Sequence, residues 1–393
     1  MVKRRIGIVG AGPAGLTCAI SAVTLGLDVT VFERANNFEH VGGGIAVQSN
    51  GLRVLQKLEL LPALRSLIYP CSTLVLELSG KREIVNDYRT LDIPHNSFSV
   101  LLRYDLQESL LTAACQKKIS ILFGHRCVGA KLRKKKAVLL FADESDQEFD
   151  VVIAADGIHS SVRESLKWQG EPKAVGEAYL RGVADIRTGG SAAREIWGID
   201  GRRFGMCPLP ADKTYFYCSV PKGEWIDILT KGLPSWVNSW RPYGANVMAV
   251  LERVPDWHRV NYDELHEICL KRWSSPPVFL VGDAAHGMTP DYGQGANCAM
   301  VDALVLITLL ARAFHDRSDL EEAGREYESV RRPFVNRIQN ASARVGTIAQ
   351  WRSPAARLLR DTLLLLTSRI GALRRRELRL IAGYNPKEES FLR

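Results

Sequence analysis

Residues 6–16, "IGIVGAGPAGL", run apolar into three glycines, Gly10, Gly12 and Gly15, in G-x-G-x-x-G spacing. Ile6, Ile8 and Val9 read as a buried strand, and the residues from Pro13 to about Leu25 as the helix that follows. Gly10 permits the tight turn, Gly12 lets backbone approach a pyrophosphate, and Gly15 lets the helix pack on the sheet. The free NH groups and positive dipole end of that helix then point at the phosphates, so Gly10, Gly12, Ala14 and Gly15 are the expected contacts. "LDVTVFER" follows as a second strand and ends in Glu33, 18 residues past Gly15, where a carboxylate can accept from a ribose diol. Arg34 stands next to it, within reach of the adenosine. Strand, turn, helix, strand and terminal acid together predict a dinucleotide site.

The chain around this unit has 393 residues, 46% hydrophobic and 24% charged, enough to bury a core and divide into two joined domains. Its eight cysteines lie at irregular intervals with no C-x-x-C pair, which argues against a zinc cluster or disulfide framework and for a reducing cytoplasm. "MVKRR" before the apolar run has the charge pattern of a leader, but the glycines and the next strand account for every residue as folded structure. Neither of two later apolar runs reads as an integral membrane span. Asp302 and Arg312 interrupt 298–314, and 361–370 is far shorter than the roughly 20 residues required. The net charge is +9, but basic residues are dispersed apart from short runs at 3–5, 131–136 and 374–376. None is interleaved with aromatics as in a nucleic-acid groove, so a solvated surface favouring small anions is expected.

Two further strand-to-turn segments follow. In "FDVVIAADGIHSSVR" (149–163) an apolar strand delivers Asp156 and Gly157 into a turn, and Ser160, Ser161 and Arg163 open a polar helix start. In "VFLVGDAAHGMTPDYGQGAN" (278–297) a buried strand ends at Asp283, and Gly293 and Gly295 precede an apolar helix starting near Ala296. The three segments, in this order and spacing, resemble the class A flavoprotein monooxygenases, the p-hydroxybenzoate hydroxylase-like family, over nearly the whole chain. "GGGIAVQSNGLRVL" (42–55) is similar to the subgroup of salicylate and 3-hydroxybenzoate hydroxylases, urate hydroxylase and zeaxanthin epoxidase.

The resemblance implies an α/β fold: a GxGxxG, Rossmann-like FAD-binding domain (1–70, 99–169 and 274–330) interrupted by a β-sheet substrate domain (71–98 and 170–273). C-terminal helices, 331–393, are expected to pack on the FAD domain. It implies FAD held without a covalent link, NADPH or NADH as donor, and hydroxylation of a small aromatic or heteroaromatic substrate by dioxygen through a flavin hydroperoxide. Asp283 is then expected on the ribityl hydroxyls, and Gly293 and Gly295 against the isoalloxazine ring. The helix start at Ala296 faces the pyrimidine edge, which Asn297 also contacts. Arg103 falls near flavin and pyrophosphate, with Gln107 one turn on. Asp156 supports the cofactor region, and His286 is structural. Pro290, Tyr217, Arg181 and Gln48 are the catalytic and substrate candidates, and no metal ligands are expected. Asp291 and Tyr292 depart from the small residues usual there, which leaves the shape of the pocket open.

Between 170 and 272, "EAYLRGVADI", "RRFGMCPLP" and "KTYFYCSVP" alternate as strands, with Tyr215, Tyr217 and Ser219 on one face and Thr214, Phe216 and Cys218 on the other. Five of the eight tryptophans fall between 225 and 273. After 315 the chain is helical and arginine-rich. "RLLRDTLLLLTSRIGALRRR" is amphipathic, with charges at 357, 360, 361 and 369, and reads as a helix docked on the fold rather than on a membrane. A monomer or homodimer is expected. An epoxidase, a halogenase, a reductase or a non-catalytic flavin-binding regulator of the same fold stay open, although the halogenase WxWxIP motif is absent.

Overall fold

The Arg5–Val9 strand lies between Val151–Ala154 and Asp28–Glu33 in a six-stranded sheet, parallel to both. This computed structural model describes residues 4–38, 43–79, 82–142, 145–168, 170–188, 190–221 and 223–393; Lys3 of the first basic run and Gly42 of the glycine triplet lie outside them. Ser120–Phe123 forms one edge of the sheet; at the other, Val278–Leu280 pairs parallel and Ser274–Ser275 antiparallel. The central strands are buried on both faces, which is why they read as unbroken apolar runs.

Two helices lie against one face: α1 (Pro13–Thr24) and α2 (Gly295–Asp316). Helix α2 is long and apolar enough to cross a membrane, but 72% of its apolar window is buried inside the protein. Asp302 in its middle is fully buried, taking bonds from Gly282 N (3.2 Å), His286 and Arg331 Nε (2.6 Å). Burial alone would raise that carboxyl, but His286 and Arg331 hold it below the usual range. The bonds tie the 282–297 segment to its own helix. On the other face, an antiparallel meander of Cys127–Arg133, Lys136–Phe141 and Gln147–Phe149 sets Phe149 over Gly7, and Lys131 and Lys136 pair with acids on its solvent side.

A second sheet of seven strands runs in the order Val260–Glu267, Lys173–Ala184, Lys213–Pro221, Arg203–Leu209, Ala193–Trp197, Thr73–Leu78, Arg82–Asp87. Alternation sends Leu180, Phe204, Phe216 and Cys218 to one face, where they pack with Trp236 and Trp240. Four of the five clustered tryptophans (225, 236, 240, 257) belong to this outer core and none of these four to the cavity on the other face.

The C-terminal helices do not all pack on the first sheet as the sequence led us to expect. Helix α3 (Leu320–Ala349) lies on α2, but α4 (Pro354–Arg369) and α5 (Gly371–Ile381) cover the second sheet. Leu364 and Leu365 pack with Leu78, Ile84 and Trp197, and Leu378 sits with Tyr88 and Tyr215. The reason is polar. Arg360 and Asp361, two of the charges of the amphipathic stretch, are buried at 2% and 1% exposure, because Arg360 bonds Asp361, the carbonyls of Ile348 and Ala349 that end α3, and Ser79.

Candidate active site

A cavity of about 710 Å³ separates the two sheets. The G-x-G-x-x-G loop closes one end. Gly10 has φ +96°, and a Cβ there would meet the carbonyl of Ala155 at 2.4 Å, while one at Gly15 would meet the carbonyl of Gly10 at 1.9 Å. At Gly12 nothing lies within 4 Å of the missing Cβ, so the loop backbone and the start of α1, including Ala14, face open cavity. Glu33 Oε2 and Oε1 accept from Ala11 N (2.8 Å) and Ala35 N (2.9 Å), and Gln107 Nε2 donates to Ala11 O (2.5 Å). Both side chains therefore brace the loop. Arg34 is exposed beside Glu33, and Arg103 is exposed on the cavity rim.

Asp156 does not line the cavity, although its neighbours Ala155 and Gly157 do. Its Oδ2 accepts from Val162 N and Ser161 Oγ (3.3 Å each), Oδ1 is buried without a partner, and burial pushes the carboxyl up. Asp283, exposed at the end of its strand, opens onto the cavity.

At the other end Gly293 is left-handed (φ +59°), ending a short turn from Pro290, and Gly295 is the first residue of α2 with Ala296 behind it; all four line the cavity. Asn297 requires a correction. Its side chain is 1% exposed and turned from the cavity: Oδ1 accepts from Gln48 N (3.0 Å), and Nδ2 donates to the carbonyls of Ala46 (2.9 Å) and Gly293 (2.7 Å). A buried amide bonds the backbone within reach, so Asn297 clamps two cavity walls together. His286 likewise faces Asp302, not the cavity.

Gln48, Arg181, Tyr217 and Pro290 converge on this space. Gln48 Oε1 accepts from Tyr88 (2.9 Å), and Arg181 pairs with Asp263 (3.3 Å). Tyr217 donates to Glu195 Oε2 (2.9 Å), whose Oε1 accepts from Trp197 Nε1 (2.9 Å) and Arg203 Nε (2.6 Å). Arg203 also bonds Asp291, and both side chains are 1% exposed. Burial opposes the Arg203 charge, but Glu195, Tyr179 and Asp291 outweigh it. Burial and then Glu195 push the Tyr217 phenol well above its usual value, and burial lifts nearby Glu177 to about 7. Glu195 and Arg203 were missed in the sequence. Strand alternation held the signal: Arg203 shares a face with Gly205, which pairs with both Glu195 and Tyr217.

The site fits FAD. A bare glycine backbone and a helix start face one end, an exposed carboxylate the middle, and a flat glycine-lined wall the other end. Such a fold and site define a flavoprotein that encloses a second, smaller ligand against its cofactor. The chain belongs to the family described as FAD binding domain, whose model matches residues 3–342. It is 28% identical to an aurachin C monooxygenase/isomerase of Stigmatella aurantiaca, over 94% of this chain and 97% of the relative. It is 27% identical to a 2-heptyl-3-hydroxy-4(1H)-quinolone synthase of Pseudomonas aeruginosa, over 96% and 97%. Among solved structures, a 2-methyl-3-hydroxypyridine-5-carboxylic acid oxygenase superposes with a TM-score of 0.78 at 25% identity, covering 90% of this chain and 95% of that one. The protein is an FAD-dependent monooxygenase of the aromatic hydroxylase type.

Proposed function

We propose that this enzyme hydroxylates a ring carrying an ionisable OH or NH, held between the Gly293–Gly295 backbone and the Tyr217 face of the second sheet. The observation that carries this reading is the Tyr217–Glu195 hydrogen bond inside the cavity. FAD held in this cavity would supply the redox chemistry, activating dioxygen at the expense of NADPH or NADH so that one oxygen atom enters the ring and the other becomes water.

The chain's part is positioning and proton movement. Tyr217 Oη accepts the substrate proton as its own passes to Glu195 Oε2, leaving the ring electron-rich. Burial prevents the phenol from ionising alone, so the pair acts as a unit. Arg203 holds Glu195 and Asp291 in place, Arg181 and Gln48 flank the ring, and the Pro290 turn lies beside the reacting edge. Gly10, Gly12, Ala14 and Gly15 hold the pyrophosphate, Glu33 and Arg34 the adenosine end, and Asp283 the ribityl chain. Arg103 and Asp156 shape the phosphate region, and Gly293, Gly295 and Ala296 the ring face.

In this reading 1–70, 99–169 and 274–330 form the cofactor domain, and 71–98 with 170–273 the substrate domain. The enzyme works as a monomer or homodimer in the cytoplasm, a compartment that suits eight free thiols. Leu74, Leu76, Ile84 and Val100 extend the cavity in an apolar arm toward α4, which favours a heteroaromatic ring with an aliphatic tail. Phenols, purines and alkylquinolones are therefore screened for accelerated NADH or NADPH oxidation and for a product carrying one atom of labelled dioxygen. The reading fails if donor oxidation never yields an oxygenated product with any of them.

A further inference from the structure

Helix α4 is amphipathic in the reverse sense from that of a docked helix. With Arg360 and Asp361 turned inward, Leu358, Leu359, Leu363 and Leu366 are left 62%, 55%, 51% and 52% exposed. At about 100° per residue they share one arc of the helix. Ile370 and Leu373 continue the patch at 50% and 45%. Among the described residues, six of the fourteen large apolar side chains left exposed thus lie between 358 and 373. The inward bonds of Arg360 fix the orientation, so the leucines cannot roll into the core.

The charge around this patch is one-sided. Residues 354–381 contain seven arginines against Asp361 and Glu377, and Arg369, Arg375, Arg376 and Arg379 are exposed. A two-fold contact between copies would set these arginines against each other. An anionic lipid surface meets both halves of the pattern, since leucines enter the acyl boundary while arginines stay at the phosphates. The same helices carry Thr367, Ser368, Leu373 and Arg374, which line the cavity.

We infer that the α4–α5 face is a docking surface for an anionic bilayer, holding the mouth of the cavity at the membrane. This does not rest on the hydroxylase reading, because it concerns only binding. The FAD-loaded full chain is floated with vesicles of equal parts phosphatidylglycerol and phosphatidylcholine, and with phosphatidylcholine alone. Partition to the anionic vesicles should be about tenfold stronger and should weaken with salt. Leu363→Glu with Leu366→Glu should abolish binding, and Arg375→Glu with Arg376→Glu should erase the lipid selectivity, with unchanged FAD content and thermal midpoint in both. Equal recovery with and without vesicles overturns the inference. So does a wild-type dimer that the leucine variant converts to monomer, which assigns the face to a second copy.

Discussion

Replacing Arg203 by methionine removes the one positive charge between two carboxylates in a place that water does not reach. Arg203 is 1% exposed, contacts Glu195 Oε1 at 2.6 Å and bonds Asp291, whose other oxygen has no partner. Glu195 keeps its bonds from Tyr217 and Trp197, but Asp291 loses the donor that compensates it. Breaking a buried pair from one side costs about 3–5 kcal/mol, mostly the penalty of the stranded charge. Arg203→Met should therefore lose that much in urea unfolding of the FAD-saturated protein, followed by tryptophan fluorescence. Adding Asp291→Asn removes the stranded charge and should return about 2 kcal/mol, a coupling expected only of groups in contact. A loss below about 1 kcal/mol, or a double variant less stable than Arg203→Met, would refute the picture of a charge-balanced buried cluster.

Tyr217→Phe should lower kcat by about a hundredfold with little change in KM or FAD content, read by steady-state kinetics once a substrate is found; an unchanged kcat removes Tyr217 from the proton path. Asp283→Ala and Glu33→Ala should each weaken FAD binding by roughly ten- to a hundredfold, about 1.5–3 kcal/mol, and unaltered titrations would reject those roles. Glu177 has a folded value of about 7, above the ordinary 4.5, so its contribution is full below about pH 4.5 and is lost as pH rises through 7. That loss is up to about 3 kcal/mol, and Glu177→Gln should flatten the fall in thermal midpoint between pH 5 and 8; a variant that keeps the slope would place its source elsewhere. Gly293→Ala should cost about 1–2 kcal/mol because of its left-handed backbone, whereas Gly295→Val, where Met288 Cγ at 3.9 Å is the nearest atom to a Cβ outside the adjoining residues and helix backbone, should spare stability and impair FAD binding. Equal melting losses for both would contradict this.

Much of the cofactor half was legible by eye because its constraints are local. A strand, a glycine turn and a helix start follow each other within residues 6–16, and backbone geometry alone assigns Gly10 and Gly15 their places. The alternation of Tyr215 and Tyr217 against Phe216 and Cys218 was equally readable, since a strand has only two faces. The substrate half was not, because its chemistry is assembled across registers. Glu195, Arg203 and Tyr217 meet through pairings between three strands, and Asp291 arrives from a segment 88 residues after Arg203. A period of two says that these residues share a face with something, but not with what.

Asn297 and Arg360 mark the same limit from the other side. The family resemblance gave Asn297 a role toward a flat ligand, and Arg360 read as one charge of an amphipathic helix. Asn297 is instead buried on the carbonyl of Ala46, 251 residues away, and on that of Gly293 one turn back, and Arg360 on those of Ile348 and Ala349, which end the preceding helix. Local pattern determined where the backbone turns and that it can cradle a dinucleotide. The partners of buried polar groups were decided by tertiary structure, because a buried donor bonds the nearest acceptor in space, and that acceptor can lie hundreds of residues away in the chain.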